Sequence, residues 1–159
     1  MGYDKLEDTI QEAYKNVKLF NEIGGSANNI SHEALALQMD LIQEEYLELV
    51  EAFDNRDDIE YLDAVCDLFV VLSGLMQKLE VAGFDVSGAL KKVNENNLSK
   101  YSISVLQQPS NTVREYNDRF EVYVFKDKDT MKIKKPLDFV PVNLSGYEVV
   151  GFLAGGGNV

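Results

Sequence analysis

The chain has 159 residues, of which 45% are hydrophobic and 26% charged, a composition typical of one ordinary globular domain. Its net charge of −12 lies entirely in residues 1–100, where 20 acidic residues outnumber 8 lysines and arginines; residues 101–159 hold 7 of each. This distribution argues against a nucleic-acid polymer as partner, because such a partner requires a basic face. The apolar runs are far shorter than a membrane helix, which needs roughly 18–20 residues. The single cysteine, Cys66, fits a reducing cytoplasm, and its apolar surroundings predict a buried, unreactive thiol.

Apolar residues recur with a period near 3.6 up to residue 100, which predicts four helices. Their expected bounds are Lys5–Ile23, His32–Asp54, Ile59–Val81 and, after a cap at Asp85 or Ser87, a fourth helix that runs to about Lys100. Ser31 is a candidate N-cap for the second helix, and Gly24 and Gly83 are candidate stops. We expect residues 1–100 to form an all-α core.

Residues 101–159 have a different pattern and predict a C-terminal extension. Thr112–Phe120 is expected to form a short helix. The segment "EVYVFKDKDTMKIKKP" alternates on both sides of a Lys-Asp-Lys-Asp turn, which indicates a β-hairpin. The Gly-rich end "AGGGNV" is expected to be disordered.

The segment from Leu41 to Val71 holds ten carboxylates and one cation, Arg56, yet keeps a helical apolar stripe. On the second and third predicted helices several acidic residues continue this stripe instead of lying opposite it. If the two helices are antiparallel about a turn near Arg56, the acidic residues fall at matching heights, because each residue rises about 1.5 Å. The carboxylates expected to converge are Glu44, Glu45, Glu48, Glu60, Asp63 and Asp67.

Clustered carboxylates repel one another unless protons or cations neutralise them. A hard divalent cation, Mg²⁺ or Mn²⁺, suits oxygen-only ligands, whereas one histidine and one cysteine cannot form a zinc site. The alternative is a solvated acidic face. That alternative accounts well for Asp54, Asp57 and Asp58, but poorly for the carboxylates along the apolar stripe.

At these residues the sequence resembles the all-α nucleoside triphosphate pyrophosphohydrolases, the MazG-type superfamily. "EEYLE" followed by "EYLD" is similar to the ExxE…ExxD pattern of that superfamily. "EYLDAVCDLFVVLSGL", "AGFD", "VNENNLSK" and "KIKKPLDFVPVNL" resemble, in order, segments of phosphoribosyl-ATP pyrophosphohydrolase-like proteins, many of them phage-encoded. The resemblance covers about residues 31–144. Departures occur at Val70, Asn94 and Leu98, and Gln38 or Met39 stands where an arginine is common.

The resemblance implies a four-helix-bundle-type core that is completed by dimerisation. The small β-hairpin predicted above is a C-terminal extension of this core. It also implies Mg²⁺-dependent attack of water on a nucleoside triphosphate, with Mn²⁺ as a substitute metal. The expected products are the monophosphate and pyrophosphate. In this chain the implied metal ligands are Glu45, Glu48, Glu60 and Asp63, with Glu44 as the base or an extra ligand and Asp67 behind them. Phosphate or sugar contacts are expected from Asn94, Asn97 and Lys100.

Two points stay open at this level. The substrate is a nucleoside triphosphate or a related nucleotide, and a catalytically silent nucleotide-binding or scaffold protein of the same fold is the alternative function.

The third predicted helix is apolar almost all round between Leu68 and Met76, which indicates burial on every side. We therefore expect a homodimer or a dimer of dimers. From the single cysteine and the short apolar runs we also expect a cytoplasmic protein with no membrane partner.

Overall fold

A computed structural model describes residues 3–154 and contains four helices followed by a small hairpin. The helices are α1 Tyr3–Ile23, α2 His32–Asn55, α3 Asp58–Val81 and α4 Val86–Leu98. A 3-10 turn at Val105–Gln107 precedes the strands β1 Thr112–Asn117 and β2 Val122–Asp127. The mostly helical fold with a C-terminal hairpin confirms the predicted fold class. None of the helices among residues 3–154 is long and apolar enough to cross a membrane.

The helix boundaries follow from local capping. The Ser31 hydroxyl accepts a hydrogen bond from the Ala34 amide at the start of α2, as predicted. Asp57 caps α3 by accepting from the amides of Ile59 and Glu60. Arg56 ends α2 in the left-handed region, with φ 56°. Because only two residues separate α2 from α3, the end of α2 lies beside the start of α3.

The chain forms two compact units. The first comprises the chain up to Val86 together with the segment from Glu148, and the second is Ser87–Tyr147. In the first unit α3 packs against both α1 and α2. The proposed division into two regions at residue 100 stays a prediction, and the Gly-rich end from residue 155 lies outside the described residues.

The hairpin of the second unit is antiparallel, with Thr112 opposite Asp127 and Asn117 opposite Val122. The prediction of a helix over Thr112–Phe120 is therefore wrong, because its first six residues form β1. The second strand predicted after the Lys-Asp-Lys-Asp turn is reduced to a single bridge between Lys126 and Ile133. Phe125 of β2 is fully buried and is the central apolar residue of this unit.

The first unit buries few large apolar side chains in a single chain. Among the described residues, the apolar ones classed as buried there are Val17, Ala52 and Ala64. Cys66 is exposed, so the expectation of a buried thiol is wrong for the single chain. Val70 and Leu72 of the apolar stretch in α3 are also exposed, at 40% and 46%. Within residues 3–154, many large apolar side chains of α1, α2 and α3 are therefore exposed in the single chain.

Candidate active site

Glu45 and Asp67 are the two carboxylates of the acidic cluster on α2 and α3 that are not exposed, and Glu45 has the more unusual environment. The Glu45 side chain is half-buried, and its Oε2 atom is fully buried with no hydrogen-bond donor within the described part of the chain. Burial raises the pKa of the Glu45 carboxyl, and the charges of its neighbours raise that pKa further. Those neighbours are Asp67, Glu48, Glu44 and Asp63. The helices thus bring five of the six predicted carboxylates into one electrostatic neighbourhood.

Glu60, the sixth carboxylate, is joined to the others through a groove where α2 ends and α3 begins. The groove has a volume of about 360 Å³, and Glu48 and Glu60 both line it. Glu51, Asn55 and Asp57 complete its polar lining with Ala52. The groove is acidic because it carries four carboxylates and lacks a lysine or arginine among its lining residues.

The carboxylates do not form a finished metal cage. Within residues 3–154, no three His, Cys, Asp or Glu side chains lie close enough together to hold an ion as they stand. Four of the six are exposed, namely Glu44, Glu48, Glu60 and Asp63. The set of potential ligand atoms nevertheless fits a hard divalent cation, since all of them are oxygens. In addition, the buried Oε2 atom of Glu45 receives no hydrogen bond from any described residue. The metal-ligand roles of these residues stay predictions.

The predicted phosphate-binding residues lie in the second unit. Lys100, just beyond the end of α4, donates a 2.9 Å hydrogen bond from Nζ to Oδ1 of Asn97, so these two side chains form one polar group. Asn94 is exposed one turn earlier on α4. Their contact with a substrate stays a prediction.

Three buried polar side chains in the first unit were not predicted from the apolar pattern of the sequence. Gln38 donates from Nε2 to the carbonyl of Val71 at 2.8 Å, and Gln77 donates from Nε2 to the carbonyl of Tyr14 at the same distance. Lys78 donates from Nζ to two carbonyls of the loop before α2. Burial lowers the pKa of the Lys78 ammonium. Their acceptors are main-chain oxygens, which leave no signal in a sequence. Of the three residues, only Gln38 stood out in the sequence, because it or its neighbour lies where an arginine is common in the similar proteins.

Comparison with known proteins gives one family. The model of the family "Phosphoribosyl-ATP pyrophosphohydrolase" matches residues 5–97, which is more than half of the chain and includes all six carboxylates. Comparisons with curated protein sequences and with solved structures gave no significant match. The family implies a pyrophosphohydrolase with a nucleotide substrate, and enzymes of this type typically use divalent metals. The chain belongs to the phosphoribosyl-ATP pyrophosphohydrolase family, within the MazG-like superfamily.

Proposed function

We propose that the protein is a Mg²⁺-dependent pyrophosphohydrolase that converts a nucleoside triphosphate, or a related nucleotide, to the monophosphate and pyrophosphate. The observation that carries this proposal is the position of Glu45. Its half-buried carboxylate lies among the charges of Asp67, Glu48, Glu44 and Asp63 and keeps one oxygen without a donor. A purely solvated acidic face has no reason to bury a carboxylate among others of the same charge.

The residues that would hold Mg²⁺, or Mn²⁺ in its place, are Glu45 and Glu48 of α2 and Glu60 and Asp63 of α3. When bound, the metal neutralises and orients the phosphates and lowers the pKa of a coordinated water. Asp67 is half-buried and lies one helical turn after Asp63 on α3. It contributes to the negative charge around Glu45, and its proposed role is to orient the ligands.

Glu44 is the proposed base. It is exposed on α2 and close enough to Glu45 to raise the pKa of that carboxyl. Its carboxylate takes a proton from the attacking water, whose oxygen forms the new bond to phosphorus as the anhydride bond breaks. Pyrophosphate leaves with the electron pair of that bond. Lys100, Asn97 and Asn94 are proposed to bind phosphate or sugar oxygens.

A pyrophosphate-release assay with Mg²⁺ and each nucleoside triphosphate and deoxynucleoside triphosphate tests the reaction. Glu48→Gln and Asp63→Asn are expected to lower kcat by orders of magnitude and leave the circular dichroism spectrum unchanged. Glu33→Gln and Asp40→Asn are matched controls, because they remove the same charges from exposed positions of α2 outside the Glu45 neighbourhood. Equal loss in the controls, or normal turnover in both site variants, would contradict the assignment.

Substrate identity needs its own experiment, because the chain departs from the family pattern at Val70, Asn94 and Leu98. The panel should include phosphoribosyl-ATP, dUTP, dCTP, an oxidised nucleotide and guanosine tetraphosphate, with product analysis for each. Release of pyrophosphate from one of them identifies the substrate class. Nucleotide binding without any turnover, together with no Mg²⁺ binding, would favour the silent nucleotide-binding alternative.

We also propose that two copies of the chain form the functional unit. Large apolar side chains on all three long helices are exposed in the single chain, among them Phe20 at 76%, Phe53 at 68% and Leu62 at 65%. Exposed apolar residues on this scale favour a partner, and a second copy supplies a matching face by two-fold symmetry. Light scattering should give a mass of at least twice 17.9 kDa at micromolar concentration. A monomeric mass would contradict this part of the proposal.

A further inference from the structure

Gln38 is a buried amide at the contact between α2 and α3. Its side chain is 8% exposed, and Nε2 donates a 2.8 Å hydrogen bond to the backbone carbonyl of Val71. That carbonyl lies in the middle of α3, where it can accept a second bond besides the helical one because it has two lone pairs. Gln38 therefore joins one fixed point of α2 to one fixed point of α3.

Gly74 makes room for this amide. A Cβ atom at Gly74 would lie 3.1 Å from Nε2 of Gln38 and 3.5 Å from both its Cδ and Oε1. A methyl group at that distance would crowd the amide, which would have to shift by a few tenths of an ångström. The glycine lies inside a long helix, where it is otherwise unfavourable. The glycine and the glutamine thus form one contact, a polar link between the helices.

The fully buried residues of α2 and α3 are small or polar. The apolar side chains buried on these two helices, within the described part of the chain, are Ala52 and Ala64. Larger apolar side chains such as Leu41 and Leu68 are only half-buried, and apolar contacts are not directional, so they fix the register less sharply than a hydrogen bond does. A hydrogen bond is directional and is lost when one helix shifts by a turn of about 5.4 Å. The Gln38 link is therefore suited to fix the register.

The link lies close to the acidic cluster on both helices. Gln38 comes seven residues, or two turns, before Glu45, and Val71 comes four residues, or one turn, after Asp67. The hydrogen bond accordingly holds α2 at the height at which Glu45 faces Asp67 and Asp63. A small shift of α2 would change those carboxylate distances at once.

We propose that Gln38 is a positioning residue that sets the register of the carboxylates on α2 against those on α3. The inference rests on the proposed function, since it gives Gln38 a role in assembling that same site. Gln38 does not touch the reacting atoms; it acts through the helix that carries Glu45 and Glu48.

The test compares Gln38→Met with Gln77→Met. Both glutamines are 8% exposed, and both donate a 2.8 Å hydrogen bond from Nε2 to a helix carbonyl. Gln77, however, joins α3 to α1, and it lies ten residues beyond Asp67, about 15 Å along the helix. Methionine preserves length and removes the donor. The control thus removes the same kind of bond at the same burial, but away from the carboxylates.

Mn²⁺ binding is measured by calorimetry on the full-length wild type and both variants, with melting in EDTA as the measure of folding. Both variants lose one hydrogen bond, but Gln77→Met should lose less metal-free stability, because it also removes an Oε1 atom that is buried without a hydrogen-bond donor among residues 3–154. Gln38→Met should weaken Mn²⁺ binding by about 10-fold to 100-fold, the range found when groups that orient metal ligands are removed. Gln77→Met should stay within about twofold of the wild type. At subsaturating Mn²⁺ the turnover rate should fall with the Mn²⁺ affinity. At saturating Mn²⁺ the KM for the nucleotide should be unchanged.

Each outcome has a distinct reading. Wild-type Mn²⁺ affinity in a folded Gln38→Met protein, or equal losses in both variants, overturns the positioning role and leaves the proposed function standing. An absence of Mn²⁺ binding in the wild type overturns the proposed function and the positioning role with it. If Gln38→Met fails to fold, Gln38→Leu removes the same donor with a different apolar side chain, and the same loss of Mn²⁺ affinity is expected there; normal affinity in a folded Gln38→Leu protein overturns the inference.

Discussion

Lys78 and Asn29 are joined by a 3.1 Å hydrogen bond from the buried ammonium Nζ to the backbone carbonyl, across 49 residues of sequence. The same Nζ donates to the carbonyl of Ser26 at 3.0 Å. The loop between α1 and α2 is therefore held against α3 by one lysine that is only 5% exposed. A buried charge of this kind is tolerated because it is hydrogen-bonded.

Lys78→Met should destabilise the protein, since two loop carbonyls lose their charged donor. We expect a loss of about 1–3 kcal/mol in the free energy of unfolding, which corresponds to a fall of several degrees in Tm. The measurement is chemical and thermal unfolding by circular dichroism. Lys18→Met is the control, because Lys18 lines the same cavity of about 250 Å³ but is exposed. Equal stabilities of the two variants would show that the buried hydrogen bonds contribute nothing.

Gly74→Ala should have opposite effects in two backgrounds. In the wild type the new methyl group lies 3.1 Å from Nε2 of Gln38, and we expect a loss of about 1–3 kcal/mol from overpacking. In Gln38→Ala the space is free, and the higher helix propensity of alanine should stabilise by up to about 1 kcal/mol. A double-mutant cycle by urea unfolding measures the difference. Additive effects would mean that the two residues do not interact.

Asp127 should give the hairpin a specific dependence on acid. Hydrogen bonds from the amides of Thr130 and Asp129 lower the pKa of the Asp127 carboxyl to about 2. Because this pKa lies below the unfolded value of about 4, the ionised group stabilises the hairpin above pH 4. That contribution is lost as the pH falls through 2. The amide signals of Asp129 and Thr130 should titrate in NMR spectra with a midpoint near pH 2.

Asp127→Asn should abolish that titration and keep the turn, because the asparagine oxygen still accepts from both amides. Asp118→Asn, an exposed carboxyl before β2, should leave the midpoint unchanged. A midpoint near 4 in the wild type would show that the amides do not bind the carboxylate in solution.

Glu45→Gln should stabilise the metal-free protein at neutral pH. Burial first, and then the neighbouring carboxylates, raise the pKa of Glu45. Below the unfolded value of about 4.3 both states are protonated and the raised pKa has no cost; as the pH rises through the folded pKa the cost appears in full. Melting in EDTA should therefore show a variant more stable than the wild type at pH 7.5, with the difference vanishing near pH 4. A variant less stable at both pH values would contradict this electrostatic account.

The helical half of the fold follows from local signals in the sequence. The start of α2 was predicted at its observed residue because Ser31 caps it through its own side chain, and the ends of α1 and α3 were also predicted correctly. The convergence of carboxylates on α2 and α3 was predictable because helix geometry and a short turn fix the heights of residues on adjacent helices. Asp67 and Asp63 of α3 act electrostatically on Glu45 of α2, whereas the assembly of these carboxylates into one metal site stays a prediction.

The tertiary structure decided what depends on distant partners. Six residues from Thr112 form a strand because they pair with Val122–Asp127, whereas so short a segment has no periodicity that separates helix from strand. Gln38, Gln77 and Lys78 are buried because main-chain carbonyls of other elements accept their hydrogen bonds. Every residue has such a carbonyl, so side-chain patterns cannot show which one is used. The sequence alone therefore predicted the helices and the acidic cluster, while packing in three dimensions decided which polar groups hold them together.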